Sequence, residues 1–338
     1  MSEFALTIAG FTLCAGFIFF SGRYLSKYGD IIADHLGLGK AWIGMVLLAS
    51  VTSLPELTVG ISSVTIIQSA DLAVGDVLGS CVFNLLILSL LDLFVKKKSL
   101  LATVSGSHIL AASMSIILIT LAGAGIFLPA DIIITPWIGL TSIVFIVVYL
   151  FAMRMIYKNE RKIMQQNLLP VQPNTHLTVS LKKATALFIL NAAVVLTAAI
   201  FLPGFAESIA KETGLGESFV GTLFLAASTS FPEVAVSLAA VRLGLIDMAV
   251  GNLLGSNIFN IVILSVDDLL YAKGHLLKDA SDMNLISVFS VVIMTAIAIA
   301  GLNYHNTAKK RFFLAADTLL ILLVFIVNLI LLYNFRTQ

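Results

Sequence analysis

Residues 44–64 read GMVLLASVTSLPELTVGISSV, and residues 221–241 read GTLFLAASTSFPEVAVSLAAV. The two stretches align without a gap at an offset of 177, with Gly, Leu, Ala, Thr, Ser, Pro, Glu and two Val recurring in register. A second pair follows: residues 71–93, DLAVGDVLGSCVFNLLILSLLDL, match 247–269, DMAVGNLLGSNIFNIVILSVDDL, at an offset of 176. Apolar bias can match Leu to Leu. It cannot place Thr-Ser-x-Pro-Glu and then Gly-Ser-x-x-Phe-Asn twice in the same order. The chain is internally duplicated.

Both copies lie in apolar runs. The 338 residues are 59% hydrophobic and 12% charged, about half the charge of a soluble domain, and mean hydropathy is +1.03. The charges cluster between runs of roughly 20 apolar residues, the length a helix needs to cross a bilayer. This predicts an all-α membrane protein of about ten transmembrane helices. They are expected near 4–20 (a retained first span), 40–65, 72–94, 101–125, 132–157, 183–203, 216–241, 247–270, 284–303 and 312–334. A net charge of +1 gives no field that would attract nucleic acid. Cys14 and Cys81 both fall in apolar segments and read as small buried residues.

The basic residues test this plan. With ten spans, sixteen of the twenty Lys and Arg residues fall on one set of loops, leaving Lys211, Lys273, Lys278 and Arg336 on the other. The positive-inside rule then puts both termini outside and the longest loop, 158–182, in the cytoplasm of a cell (inner or plasma) membrane. The expected organisation is a first repeat over 1–157, a polar linker over 158–182 and a second repeat over 183–338. Five spans per half invert the second copy relative to the first. Inverted repeats with interrupted helices at the midplane are an architecture of secondary transporters.

Glu56 and Glu233 each fall in the middle of a span, where a carboxylate is costly and marks a functional site. The alternative is a structural glutamate bonded to a neighbouring helix; two in symmetry-related places, each after a proline, argue against it. Pro55 and Pro232 lack an N–H and crowd the carbonyls of Val51 and Ser228, so each helix is expected to break and free backbone carbonyls. Such backbone must be buried in protein or line a wet cavity. Ala49, Ser53 and Glu56 share a helical face. So do Ser80 with Asn84, and Ser256 with Asn260. Gly75 and Gly79, and Gly251 and Gly255, form small-x-x-x-small stripes for close helix approach. The donors are carboxylates, amides, hydroxyls and carbonyls, which suit Ca²⁺ and Na⁺ rather than zinc or copper.

At these residues the chain resembles the sodium/calcium exchanger family, in its prokaryotic form without a large regulatory loop. The resemblance covers both repeats and implies exchange of Na⁺ for Ca²⁺ by alternating access, with ions held between the inverted repeats. Carried over residue by residue, it implies that Glu56 and Glu233 serve both ions and that Thr52 and Thr229 offer mainly backbone carbonyls. Ser53, Ser230, Ser80, Ser256, Ala49 and Ala226 would line Na⁺ positions, and Asn84 and Asn260 would complete the central ring. The chain departs from the family at Val51 and Ser228, where glycine is usual. Asn260 stands where potassium-dependent relatives carry Asp, which argues against potassium dependence. Asp76, mirrored by Asn252, is either a hydrated vestibule acid or a group for cation access or proton coupling.

The expected partners are the bilayer, Ca²⁺ and Na⁺, with H⁺ as a rival coupling ion on the same fold; a passive channel is a further alternative. No cofactor, no nucleic acid and no enzymatic activity are expected, and the chain is expected to be monomeric or weakly self-associating. His108 reads as a packed histidine. Asp92, Asp267 and Asp268, near span ends, read as solvated, and Lys96, Lys97 and Lys98 as a cytoplasmic anchor.

Overall fold

The computed structural model describes residues 3–96, 98–127, 133–135, 138–166, 179–212, 227–304, 310 and 313–335. Lys97, Ala226 and the middle of the linker therefore lie outside the described residues. The principal elements are α1 (Glu3–Leu36), α2 (Lys40–Ile67, interrupted at Ser53), α3 (Ala70–Leu91) and α4 (Ser107–Phe127). After these come α5 (Leu140–Gln166), α6 (Leu181–Glu212), α7 (Phe231–Arg242), α8 (Ile246–Leu270), α9 (Asn284–Asn303) and α10 (Ala316–Phe335). A two-stranded antiparallel pair, Ile133–Thr135 and Ile138–Gly139, leads into α5. Among the described residues, nine segments are long and apolar enough to span a membrane. They correspond to nine of the ten expected spans. The remaining one, 216–241, is described only from residue 227.

Several boundaries differ from expectation: α4 begins at Ser107 rather than 101, α5 at Leu140 rather than 132 and α10 at Ala316 rather than 312. Helix α1 continues past residue 20 through Arg23, Lys27 and Asp30 to Leu36, because a helix that has left the membrane no longer needs an apolar sequence. Helix α5 likewise runs to Gln166, nine residues beyond the expected end of its span.

The chain divides into two compact units, each drawing on both sequence halves. One holds Met1–Pro55 with Met155–Gly255, the other Glu56–Arg154 with Ser256–Gln338. In the first, α1 packs along α6 and against α7. Ser26 donates its hydroxyl to the carbonyl of Val236 at 3.0 Å. The start of α8 lies backbone to backbone on the start of α2: a methyl group at Gly44 would strike the Met248 carbonyl, and one at Gly255 the Met45 carbonyl. This is the close approach the Gly251/Gly255 stripe predicts. Gly79 meets nothing within 4 Å among the described residues, and residues 221–222, which mirror Gly44 and Met45, lie outside them.

In the second unit α9 packs on α4, α10 and α3, and α10 on α3. Two aspartates organise its chain ends. Asp92 takes the backbone N–H of Leu100 on Oδ1 at 2.7 Å, and the N–H of Ala315 and the hydroxyl of Thr318 on Oδ2 at 2.8 and 3.0 Å. Asp268 takes the N–H of Leu276 on Oδ1 at 2.9 Å, and the N–H of Gly139 and the hydroxyl of Ser142 on Oδ2 at 3.0 and 2.6 Å. Each of these residues has its mate 176 positions away. The correspondence extends to Ser89 and Ser265, which donate to the carbonyls of Thr318 and Ser142 at 2.7 and 3.1 Å. Asp92 adds an ion pair with Lys310 at 2.7 Å. The expectation that Asp92, Asp267 and Asp268 are solvated is therefore wrong: they are 0%, 0% and 5% exposed. Asp92 and Asp268 are buried because backbone N–H groups eight residues on and in a distant segment replace water. Asp267 has no such donors among the described residues.

The helices with the largest buried share are α3 and α8, at 72% and 83% of their apolar stretches against 11% for α1. They carry the second repeated motif. Outer helices show the opposite face: Leu320, Leu323, Val327 and Ile330 of α10 form an exposed apolar stripe, suited to lipid.

Candidate functional site

Helix α2 is irregular around its centre. Its first half ends as a π-helical turn, Gly44–Leu48, then one α-turn, Ala49–Thr52. Ser53 leaves helical geometry at φ −90°, ψ 6°, and a new half-helix begins at Leu54 with Pro55 in its first turn. In the second copy Ser230 adopts φ −84°, ψ 9°, and α7 begins at Phe231 with Pro232 in its first turn. The two breaks are nearly superimposable in dihedral angle, although Val51 and Ser228 replace the glycine of the resembled family. Proline supplies the reason: it cannot donate to the preceding turn but is well placed at the start of a new helix. Glu56 and Glu233 thus enter the first turn of a half-helix, where exposed N–H dipoles favour negative charge.

In the first unit Glu233 is 1% exposed, and its Oε1 accepts the Ser53 hydroxyl at 3.3 Å. Thr52 donates to the Asn252 amide oxygen at 3.3 Å, and the Asn252 amide nitrogen donates to Ser237 at 3.0 Å. Thr229, Ser230 and Ala49 are buried. The structure therefore brings Thr52 and Ser53 of the first motif together with Glu233 and Asn252 of the second copy. Asn252 fixes the Thr52 side chain, which leaves the threonine's carbonyl, rather than its hydroxyl, as the candidate donor.

In the second unit Glu56 is also 1% exposed and accepts the Ser80 hydroxyl at 3.3 Å. Asn84 donates its amide nitrogen to Asn257 Oδ1 at 3.0 Å. Asn257 in turn donates to the Cys81 carbonyl at 3.3 Å. Asn260 points its amide nitrogen at the Cys81 sulfur, 3.8 Å away. With both amide nitrogens engaged, the buried amide oxygens of Asn84 and Asn260 accept no hydrogen bond from the described residues. An unmet buried acceptor costs about 1–3 kcal/mol. A cation arriving at these oxygens removes that cost, so the amides fit the role the motif implies. Ser256 is fully buried beside them in sequence. Asp76, whose Oδ2 has no hydrogen-bond partner among the described residues, is not joined to this set.

Asn257 and Cys81 were not singled out as site residues by the sequence. They occupy mirrored positions, and their difference within the Gly-Ser-x-x-Phe-Asn motif was the available signal. Cys81 orients Asn260 with its sulfur. Among the described residues no three His, Cys, Asp or Glu side chains cluster as a metal centre.

Duplicated broken helices, each placing a buried glutamate among oxygen donors in an apolar helical fold, define the class as a secondary cation transporter. A sequence model of the sodium/calcium exchanger protein family matches residues 6–157 and 183–334. The chain belongs to that family, and it is a cation exchanger of the membrane. It is 29% identical over 305 residues to inner membrane protein YrbG of Escherichia coli, covering 86% of this chain and 87% of that one. It is 32% identical over 240 residues to the putative antiporter CaxA of Alkalimonas amylolytica, covering 68% and 70%. It is 24% identical to sodium/calcium exchanger MaX1 of Methanosarcina acetivorans, covering 89% and 92%. A structure of the sodium-calcium exchanger NCX_Mj superposes with a TM-score of 0.74 at 21% identity, covering 96% and 98% of the two chains. The fold is shared.

Proposed function

We propose that this protein exchanges Na⁺ for Ca²⁺ by alternating access, with Glu56 and Glu233 as the shared carboxylates. The observation that carries the reading is that each buried glutamate begins a half-helix and accepts a serine hydroxyl, Ser80 or Ser53. Two carboxylates balance one Ca²⁺. The same oxygens, with the hydroxyls and the spare amide oxygens of Asn84 and Asn260, suit Na⁺ when Ca²⁺ leaves. Competition for one set of donors is what couples the two fluxes. Thr52, Thr229, Ser53, Ser230, Ser80, Ser256 and Ala49 complete the proposed donor set, and Ala226 belongs to it by the repeat alone.

Reconstituted liposomes test this. Ca²⁺ uptake is measured under an outward Na⁺ gradient, an outward H⁺ gradient, or neither. Uptake is expected with Na⁺ only, and lost in Glu56→Gln and Glu233→Gln. Uptake that follows the H⁺ gradient and ignores Na⁺ replaces the driving ion with protons, and uptake with no gradient makes the protein a channel. The proposed orientation, with both termini outside and 158–182 cytoplasmic, is read by labelling single cysteines placed at residues 2 and 172 in intact cells.

A further inference from the structure

Asp267 is fully buried, and neither carboxylate oxygen has a hydrogen-bond partner among the described residues. It packs against Gly60, where a methyl group would collide with its carboxylate. Asp76 is a carboxylate whose charge bears on it, and Asp76 Oδ2 is likewise buried with no hydrogen-bond partner among the described residues. Helix geometry fixes where this pair lies. Gly60 is four residues beyond Glu56, and Asp76 is four residues before Ser80, the serine bonded to Glu56. Each step is about 6 Å along its helix. The two helices run in opposite directions and are joined by only Gln68 and Ser69, so both steps lead toward that connection. The acids therefore sit one turn out from Glu56, between it and the end of the unit where exposed Asp71 bonds Asn284.

The second repeat copy gives the contrast. Gly60, Asp76 and Asp267 correspond to Ser237, Asn252 and Leu91. There a serine stands in place of the glycine, and its hydroxyl accepts from the asparagine at 3.0 Å. That arrangement is neutral and satisfied. The first copy instead leaves three oxygens of two carboxylates without donors among the described residues. A fully buried carboxylate without donors, as at Asp267, is costly unless something positive joins it.

We propose that Asp76 and Asp267 form a second cation site, which holds a hard divalent cation such as Ca²⁺ one helical turn out from Glu56. Two carboxylates neutralise one such ion, and Gly60 makes room for the Asp267 carboxylate. The site is a waiting position on the path to Glu56. It exists on the side of the 67–70 connection only, which is the outer face in the proposed orientation. It deepens the reading of the chain as a Ca²⁺ exchanger, but its occupancy does not depend on which ion drives transport.

The test is Ca²⁺ binding to the purified full-length protein in Na⁺-free buffer, by equilibrium dialysis with radioactive Ca²⁺ and by the Ca²⁺-dependent rise in Tm. Glu56→Gln is expected to keep one bound Ca²⁺ and a Ca²⁺-dependent rise in Tm. Adding Asp267→Asn to that background is expected to weaken the remaining binding at least tenfold and to flatten the Tm response. Because Asp267→Asn preserves shape, Tm without Ca²⁺ is expected to hold or rise, separating loss of a site from loss of fold. The triple variant Gly60→Ser, Asp76→Asn, Asp267→Leu, built on Glu56→Gln, copies the other repeat and is expected to behave as Asp267→Asn does. Loss of all Ca²⁺ binding in Glu56→Gln alone overturns the proposal. So does binding that survives Asp267→Asn unchanged, the result expected if a proton occupies the pair. Failure of Na⁺-driven uptake in liposomes, with these binding results intact, refutes only the driving ion.

Discussion

The aspartate staples at Asp92 and Asp268 match bond for bond across the duplication, whereas the level one turn beyond each site glutamate does not match at all. Asp92 and Asp268 both collect an N–H eight residues on, an N–H from the start of a distant helix and a hydroxyl three residues further. By contrast Gly60, Asp76 and Asp267 face Ser237, Asn252 and Leu91 as their counterparts. Where side chains hold backbone together, a change in one copy leaves buried N–H groups unmet, and the pattern stays fixed. Where side chains meet cargo, each copy faces a different solution and can differ. Symmetry in this molecule therefore marks support, and its breakage marks direction.

The strongest challenge to that contrast is at the glutamates, which are functional yet symmetric. Glu56→Gln and Glu233→Gln are each expected to lower Ca²⁺ exchange in liposomes by at least a hundredfold, roughly 3 kcal/mol. A large difference between the two would mean that the break itself is unequal in the two copies. Next come the staples. Asp92→Ala is expected to destabilise by about 3–5 kcal/mol, because it strands Lys310 as a buried charge as well as unpairing backbone. Asp268→Ala, with no such cation among the described residues, is expected to cost about 2–3 kcal/mol. Denaturation in detergent compares them, and equal losses would show that the ion pair adds nothing.

A smaller effect is expected at Cys81. In Cys81→Ala the Asn260 amide nitrogen loses the sulfur it points to, and apparent Ca²⁺ affinity is expected to fall about fivefold, near 1 kcal/mol. Cys81→Ser, which keeps an acceptor, is expected to recover most of it. Smallest is Ser237→Ala. It removes one hydrogen bond from Asn252 and is expected to cost about 1 kcal/mol of stability, with a change of less than threefold in transport.

Much of the fold was legible because membrane spanning imposes length and apolarity on each helix, and because a duplicated motif survives in register. The broken helices followed from proline chemistry alone, and the structure places both breaks at the serine before Phe231 and Leu54. The donor groups of the motifs were legible too. What hydropathy could not report is what meets a carboxylate at the end of a span. Asp92 and Asp268 look like hydrated head groups in sequence, and only folding brings Ala315 and Gly139 to them. Asp267 was hidden by its neighbour: two adjacent acids read as one polar cap, yet their side chains leave the helix about 100° apart. The clue was that Asp268 has an aspartate mate and Asp267 has leucine. Cys81 was read as mere packing, since nothing in the sequence says which amide a sulfur will face.

The staples also bear on what a half-length chain could do. Asp92 belongs to the first repeat, but its donors Ala315 and Thr318 come from the last helix of the second. Asp268 belongs to the second repeat and is served by Gly139 and Ser142 at the last helix of the first. Each half lends its final helix to the other. Expressed alone, a half keeps the acceptor and the donors, yet its own last helix is built to serve a sister copy. Two half-length chains are the smallest set in which every loan is returned, so the present polypeptide reads as a pair of such halves tied into one.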